Sequence, residues 1–325
     1  EAGPLAVAQR DGDVDVGRGS IKVGFEDLKW GGDKDFDDSV FTFSVGQTNA
    51  ALLAREANKA AKSSDNDTMS GGEGQDKMFG MAGNDKVDGG AGNDSLWGNS
   101  GNDVLTGGDG NDRISGGSGN DVTFDGAGDD VVFGNSGNDR LVAGLGDDQY
   151  DGGSGFDTLD FSGAGNGVRV DLHAHTASGS GKDSISGVEA VDGSNFADVL
   201  IGSKVANQLN GGGGDDTLRG LGGADVLTGG KGSDTFAWLA KDVVDAKGNH
   251  LGVDRITDFG ADDTLDLHKL LQGQVGDTLD DLVVVKDSAE GSHVYARAGA
   301  SMVEVALLEG FHGYTAQDLV KDGML

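Results

Sequence analysis

The chain has 325 residues, of which 61 are glycine, one is proline and none is cysteine. Without cysteine, neither a disulfide framework nor a thiolate metal site holds it together, and glycine does not follow the three-residue period of collagen. Lys and Arg number 24 against 56 Asp and Glu, a formal net charge of −32, which argues against nucleic acid or an anionic membrane as partner. No apolar run approaches the roughly 20 residues of a transmembrane helix. Few apolar side chains and a large like charge ordinarily mean disorder; the order of the residues reverses that expectation. Glu1-Ala2-Gly3-Pro4 has no initiator methionine and no secretory signal pattern, so a fragment of a longer protein is expected.

Residues 1–48 read as the C-terminal part of an acidic β-rich domain. Ile21–Leu28 and Val40–Phe43 are expected strands, and the loop between them places Asp33, Asp35 and Asp37 at alternate positions. An EF-hand loop needs glycine at its sixth position and glutamate at its twelfth. Asp38 and Ser44 stand there, so that reading fails. The stretch Phe25-Glu26-Asp27 through Gly32-Asp33-x-Asp35-Phe36-x-Asp38 instead resembles a β-rich domain of large, calcium-rich bacterial surface proteins. That resemblance implies a calcium site at Asp33 and Asp35; the residues alone equally describe a solvated acidic hairpin. Residues 49–64 are rich in Ala, Leu, Glu and Lys, with Arg55, Lys59 and Lys62 near the C-terminal end, and read as a linking helix. Such a helix would cap the first open strand edges of a solenoid.

From Ser70 to Leu159 the chain divides without gaps into ten nine-residue units, preceded by a half-unit ending Asp67-Thr68-Met69. Asp88-Gly89-Gly90-Ala91-Gly92-Asn93-Asp94-Ser95-Leu96 is representative. Position seven is aspartate in every unit: Asp76, Asp85, Asp94, Asp103, Asp112, Asp121, Asp130, Asp139, Asp148 and Asp157. Position nine is apolar or aromatic in all but Thr123. A second block, 192–236, holds five units in the same phase, with Asp198, Asp216, Asp225 and Asp234 at position seven. Asn207 replaces the aspartate in the remaining unit, which also lacks most glycines and is expected to bind weakly or not at all.

Six positions, Gly-Gly-x-Gly-x-Asp, are expected to form a turn in which glycine adopts positive φ, and the other three a short strand. Two units then complete a coil, so that turns i and i+2 stack. Stacking gathers an aspartate from each of two turns together with glycine carbonyls. Gly72, Gly74, Gly90, Gly92, Gly108, Gly110, Gly117 and Gly119 are the glycines picked out for this role. A set of hard oxygen ligands suits Ca²⁺ better than Mg²⁺, which demands a tighter octahedron. An acidic flexible linker is the competing reading, but it does not predict a phase-locked apolar position.

These units resemble the RTX nonapeptide, Gly-Gly-x-Gly-x-Asp-x-apolar-x. The resemblance implies an all-β protein: a calcium-bound parallel β-roll in two blocks, 65–159 and 192–236, with a β-rich N-terminal segment, a linking helix and a β-rich C-terminal cap. Counting i,i+2 pairs gives roughly eleven calcium ions.

Residues 160–191 read as a β connector that continues the roll as longer rungs, with His173 and His175 on one strand face and no third metal ligand in view. Residues 237–325 read as a cap with strands at Leu282–Lys286, His293–Arg297 and Met302–Leu308. Asp263-Thr264-Leu265-Asp266-Leu267 and the tail Asp318–Leu325 resemble the uncleaved C-terminal signal of type I secretion, which implies the type I ABC-transporter complex as partner and an extracellular, cell-surface-associated location. There is no His-Glu-x-x-His zinc helix and no Gly-x-Ser-x-Gly elbow, and Gly181-Lys182 lacks the rest of a phosphate loop. No catalytic residue is therefore assigned. Phe79, Trp97, Ser115 and Phe133 share a register and are expected to line one outer face, covered by a cap or open to a sugar or protein ligand. The reading favoured is the calcium-dependent folding and secretion module of a bacterial RTX adhesin; the targeting module of a secreted protease, lipase or polysaccharide-modifying enzyme is the alternative.

Overall fold

The computed structural model describes residues 66–273, 278–299 and 301–319, together with the backbone of three short strands, β1 (Asp13–Asp15), β2 (Ser20–Val23) and β3 (Val40–Thr42). The expected linking helix at 49–64, the aspartates Asp33 and Asp35 and the last residues of the tail lie outside the described residues. The chain forms two compact units, Glu1–Asp157 and Thr158–Leu325.

The first unit contains ten strands of the repeat: β4 (Thr68–Glu73), β5 (Lys77–Ala82), β6 (Lys86–Ala91), β7 (Ser95–Ser100), β8 (Val104–Asp109), β9 (Arg113–Ser118), β10 (Val122–Ala127), β11 (Val131–Ser136), β12 (Arg140–Val142) and β13 (Gln149–Ser154). They alternate between two parallel sheets, β4-β6-β8-β10-β12 and β5-β7-β9-β11-β13. β3 extends the first sheet by pairing parallel with β4. Each strand pairs with the one two units along: Val87 faces Leu105, Leu105 faces Thr123 and Leu96 faces Ile114. Two nonapeptides thus make one turn of a parallel β-solenoid, and equal positions of the repeat stack.

Most of these strands run six residues rather than the expected three, because they take in Gly-Gly-x and leave only Gly-x-Asp as the bend. The positive φ at position three does not end the strand. The neighbouring turn has the same kink at the same place, so the ladder bends in register, with Gly90 opposite Gly108.

Alternation along each strand turns position nine inward. Val87, Leu96, Leu105, Ile114 and Leu141 form a single file of side chains at 0% exposure. The interior is therefore one side chain wide on each face. Thr123 stands in this file at 1% exposure, and its hydroxyl has no hydrogen-bond partner.

The second unit starts with β14 (Thr158–Asp160), β15 (Arg169–Asp171), β16 (Thr176–Ser178), β17 (Lys182–Ser186), β18 (Ala190–Asp192) and β19 (Val199–Ile201). It goes on through β20 (Gln208–Gly213), β21 (Thr217–Arg219), β22 (Val226–Lys231) and β23 (Thr235–Ala237). β14 pairs parallel with β18 and β15 with β19, in the manner of the repeat. β16 and β17 depart from it: β16 lies between β15 and β17 and pairs antiparallel with both. His173 and His175 sit in the turn before β16 and not on a strand face. His175 takes φ 62 and its Nδ1 contacts the Ile185 carbonyl at 3.1 Å, a turn contact.

The coil outlasts the repeats. β24 (Asp254–Ile256) and β25 (Thr264–Asp266) pair parallel with β22 and β23. β26 (Val283–Asp287), β27 (Gly291–Ala298) and β28 (Ser301–Glu309) then close the unit as an antiparallel meander, with β28 parallel to β24. The helices are four-residue turns: α1 (Ala240–Val243), α2 (His268–Leu271), α3 (Leu279–Leu282) and α4 (Ala316–Leu319). Within the second unit Leu200, Leu209, Leu218, Leu227, Phe236, Ile256 and Leu265 are likewise turned inward at 0% exposure. Among the described residues, no helix is long and apolar enough to cross a membrane.

A buried hydroxyl without a partner costs about 1–3 kcal/mol relative to an apolar isostere. Thr123→Val is expected to stabilise the calcium-loaded protein by about 1 kcal/mol, read as a higher urea midpoint at saturating calcium.

Candidate metal centre

The bend of each repeat is built from three constraints. Throughout the first block position five is glycine, because it takes a left-handed φ: 129° at Gly92, 128° at Gly101, 124° at Gly110. Position two is glycine because of space. A β-carbon on Gly71 would lie 2.5 Å from Asp76 Oδ2 and 2.6 Å from the carbonyl oxygen of Gly89, one turn away. The same pair of oxygens, the unit's own aspartate and the next turn's position-two carbonyl, converges at Gly80, Gly89, Gly98 and Gly107. The third constraint is the aspartate at position seven, held by the backbone of another turn.

That aspartate divides its oxygens between two tasks. Oδ1 accepts the backbone N–H of the aspartate one turn earlier: Asp67 N–H donates to Asp85 at 2.7 Å, Asp76 to Asp94 at 2.8 Å, Asp85 to Asp103 at 2.8 Å, and so on through Asp139 to Asp157 at 2.8 Å. In the second unit Asp198 N–H donates to Asp216 at 2.7 Å and Asp216 to Asp234 at 2.9 Å. Oδ2 points into the gap. In Asp76, Asp85, Asp94, Asp103, Asp112, Asp121, Asp130, Asp139, Asp216 and Asp225 it is buried and has no hydrogen-bond partner. Nearly all of these aspartates are buried, Asp103 and Asp121 at 1% exposure. A row of buried, anionic, half-unpaired carboxylates beside carbonyl oxygens matches the donor set of a hard divalent cation. Ca²⁺, if held there, would supply the positive charge that the row lacks.

The glycines picked from the sequence divide differently. The carbonyls of Gly72, Gly74, Gly90, Gly92, Gly108, Gly110 and Gly119 face the backbone of the equivalent glycine one turn on. The carbonyls beside the free Oδ2 atoms belong to position two. Gly117 stacks on Asn99 and Asn135, both non-glycine residues at φ 75.

Burial raises the pKa values of this row. Desolvation, reinforced by the neighbouring carboxylates, pushes Asp94 and Asp103 up to about 6 and Asp121 and Asp216 to about 7; the backbone N–H to Oδ1 pulls the other way.

Not every position-seven side chain offers a free oxygen. Asp198 accepts Ser194 N–H on Oδ2 at 2.6 Å and contacts the Ser194 hydroxyl through Oδ1 at 2.8 Å. Asp148 Oδ2 lies 3.1 Å from the Tyr150 hydroxyl. Asn207 accepts Ser203 N–H at 2.6 Å and donates from Nδ2 to the Glu189 carbonyl at 3.1 Å. Its neutral amide satisfies itself within the protein, and the preceding ladder bond to Asp225 persists at 2.8 Å.

Several participants were not picked out from the sequence. Asp254 and Asp263 extend the carboxylate ladder, accepting the N–H of Asp225 at 3.1 Å and of Asp234 at 2.9 Å. The signal was Asp-x-apolar without glycines, as in Asp254-Arg255-Ile256. Trp238 Nε1 donates to Asp254 Oδ2 at 2.7 Å. A second ladder runs at position six with the opposite polarity: Asn84 N–H donates to Asn66 Oδ1 and Asn102 N–H to Asn84 Oδ1, each at 2.7 Å. The frequent Asn before the aspartate was its signal.

The aromatic row is half-buried. Phe79 and Trp97 stack at 4.6 Å and 10°, with Lys77 Nζ over both rings, and Arg113 lies over Phe133. On the C-terminal meander, His293 contacts Glu304 at 2.6 Å and Ser288 Oγ at 2.8 Å. The Ser288 hydroxyl also accepts Glu290 N–H at 3.1 Å, so it is held within its own turn.

Two outcomes follow from this geometry. Gly89→Ala puts a β-carbon against Asp94 Oδ2 and 2.6 Å from the Gly107 carbonyl, and is expected to cost about 1–3 kcal/mol in calcium-saturated unfolding. The pH dependence has opposite signs with and without metal. Raised native pKa values mean that the unfolded chain releases its protons first, so the metal-free coil loses stability as pH rises from about 4 to about 7. Metal-free protein is therefore expected to gain β circular dichroism on acidification from pH 7.5 to 5, while calcium affinity falls over the same range because ligation requires the deprotonated form.

The family described as RTX calcium-binding nonapeptide repeat (4 copies) matches residues 63–96, 88–123, 124–159, 192–226 and 201–236. No curated protein matches the chain. Among solved structures, a subunit of the mannuronan C5-epimerase of Azotobacter vinelandii is 26% identical, with 39% of this chain and 76% of that chain covered and a TM-score of 0.18. An extracellular lipase of Serratia marcescens is 15% identical, covering 74% of this chain and 40% of that one, at a TM-score of 0.21. The stacked bends within 66–159 and 192–236 are RTX calcium-binding nonapeptide repeats.

Proposed function

We propose that this chain is the calcium-dependent folding and secretion module of an extracellular bacterial surface adhesin. The observation that carries the calcium part is the stack of buried Oδ2 atoms without partners, from Asp76 to Asp139 and again at Asp216 and Asp225. In the proposal, position-seven aspartates of successive turns and the carbonyls beside them hold roughly eleven ions. At ten times its dissociation constant, each ion contributes about 1.4 kcal/mol, and a thin interior leaves the folded state dependent on that sum.

The secretion part rests on the resemblance of the C-terminal region to type I signals. Cytosolic calcium lies far below the roughly 0.1–1 mM range of extracellular modules. The chain then stays unfolded and threadable inside the cell, and folds as it meets calcium outside. The adhesin part is supported by the acidic N-terminal pattern around Asp33 and Asp35; a carbohydrate or protein ligand would be met by domains upstream. Serine-elbow or zinc-helix sequence upstream would instead make this the targeting module of a secreted enzyme.

In chelator the chain is expected to be unfolded, and millimolar calcium to restore β circular dichroism with about eleven ions counted by native mass spectrometry. Equal β content in both conditions contradicts the proposal. Replacing position-seven aspartates by asparagine, one repeat after another, is expected to reduce the secreted yield stepwise; unchanged export removes the secretion part.

A further inference from the structure

One gap in the first unit is built differently from the others. Position two is glycine in most units, yet in the unit 124–132 it is Asp125. Position nine is aliphatic in most units, yet in the unit 142–150 it is Tyr150. These two departures meet in space: the Tyr150 hydroxyl donates to Asp125 Oδ2 and lies 3.1 Å from Asp148 Oδ2. Asp125 Oδ1 accepts the N–H of Gly126 at 2.7 Å.

Asp125, Asp130 and Asp148 are each 1% exposed, and one oxygen from each lies within 4.8 Å of the other two. No other three metal-ligating side chains approach one another this closely among the described residues. Asp130 Oδ1 is taken by Asp112 N–H at 2.7 Å, while its Oδ2 is buried and has no partner. Elsewhere the free Oδ2 faces a glycine and a carbonyl; here a second carboxylate occupies the glycine's place and a third closes from the next turn. Burial first, then the neighbouring carboxylates, push both Asp125 and Asp130 up to about 7, although the Tyr150 hydroxyl and Gly126 N–H draw Asp125 down.

Three buried carboxylates with one unpaired oxygen present more negative charge than any ordinary gap, and ligand charge sets the affinity of an oxygen site for Ca²⁺. We infer that Asp125, Asp130 and Asp148 form a carboxylate-rich cation site, distinct from the ordinary repeats, that holds Ca²⁺ more tightly than the rest and fills first, with Tyr150 positioning Asp125. This rests on the calcium reading of the repeats.

The full chain, folded in calcium, is dialysed against graded chelator and the retained ions are counted. Wild type is expected to keep about one ion after the others have left, with an affinity at least about tenfold above the remainder. Asp125→Asn should lose that ion while the other sites and the circular dichroism at saturating calcium stay unchanged. Terbium exchanged into the retained site is expected to give tyrosine-sensitised luminescence at one equivalent, absent in Tyr150→Phe. Asp125→Gly, which restores the repeat, should bind the same total with no tight ion. If Asp125→Gly instead gains an ion over wild type, Asp125 fills the gap in place of metal and the inference is overturned. It is also overturned if the release profiles of wild type and Asp125→Asn coincide. Absence of calcium binding in every variant marks failure of the underlying calcium reading rather than of this site.

Discussion

The structure turns on how a buried carboxylate is used at position seven. One oxygen of each aspartate accepts a backbone N–H from the turn before, which stitches turns together; the other is left in the gap, dehydrated and mostly unpaired. The bond to Oδ1 fixes the side chain, and that rigidity aims Oδ2. Desolvation in so regular an array is costly unless a cation answers it. The fold and the ligand site are therefore one construction, and the repeat cannot be judged stable or unstable without stating its cation concentration.

The two side-chain ladders explain why the stack has a fixed rise. At position six, asparagine Oδ1 accepts an N–H from the turn that follows; at position seven, aspartate Oδ1 accepts one from the turn that precedes. Adjacent residues thus reach in opposite directions along the coil and satisfy N–H groups that the bend takes out of the sheet. Asparagine suits the outer position because it is neutral and solvent-exposed there, whereas the aspartate faces the gap.

Exceptions to the repeat show what each position is for. Asn207 keeps the ladder bond to Asp225 but closes its own gap with an amide, so charge and not shape is what that rung lacks. Asp198 spends its second oxygen on Ser194, which replaces a glycine at position three. Asp254, outside any nonapeptide, gives its second oxygen to the Trp238 indole. In each case a protein donor replaces what a cation would otherwise supply, and the coil continues without interruption. Thr123 shows the reverse: a polar group in the apolar file, tolerated although nothing answers it.

The sequence by itself determined the period, the parallel coil and the identity of the position-seven aspartates, because a repeat of nine with one fixed apolar position allows few ways to bury that position. The three-residue strand estimate was too short, since a kink repeated in every turn does not interrupt a ladder. The pairing of His173 with His175 on a strand failed because an antiparallel excursion intervenes there. Only the tertiary structure decided which oxygen of each carboxylate is free, that position-two carbonyls and not those of positions three and five lie beside it, that Asp254 and Asp263 prolong the ladder without glycines, and that Asp125 meets Tyr150 and Asp148. Those facts depend on contacts eighteen to twenty-nine residues apart. Periodicity gives the phase of such a contact, but the direction of a side chain within the gap is set by the backbone hydrogen bonds of the turns above and below.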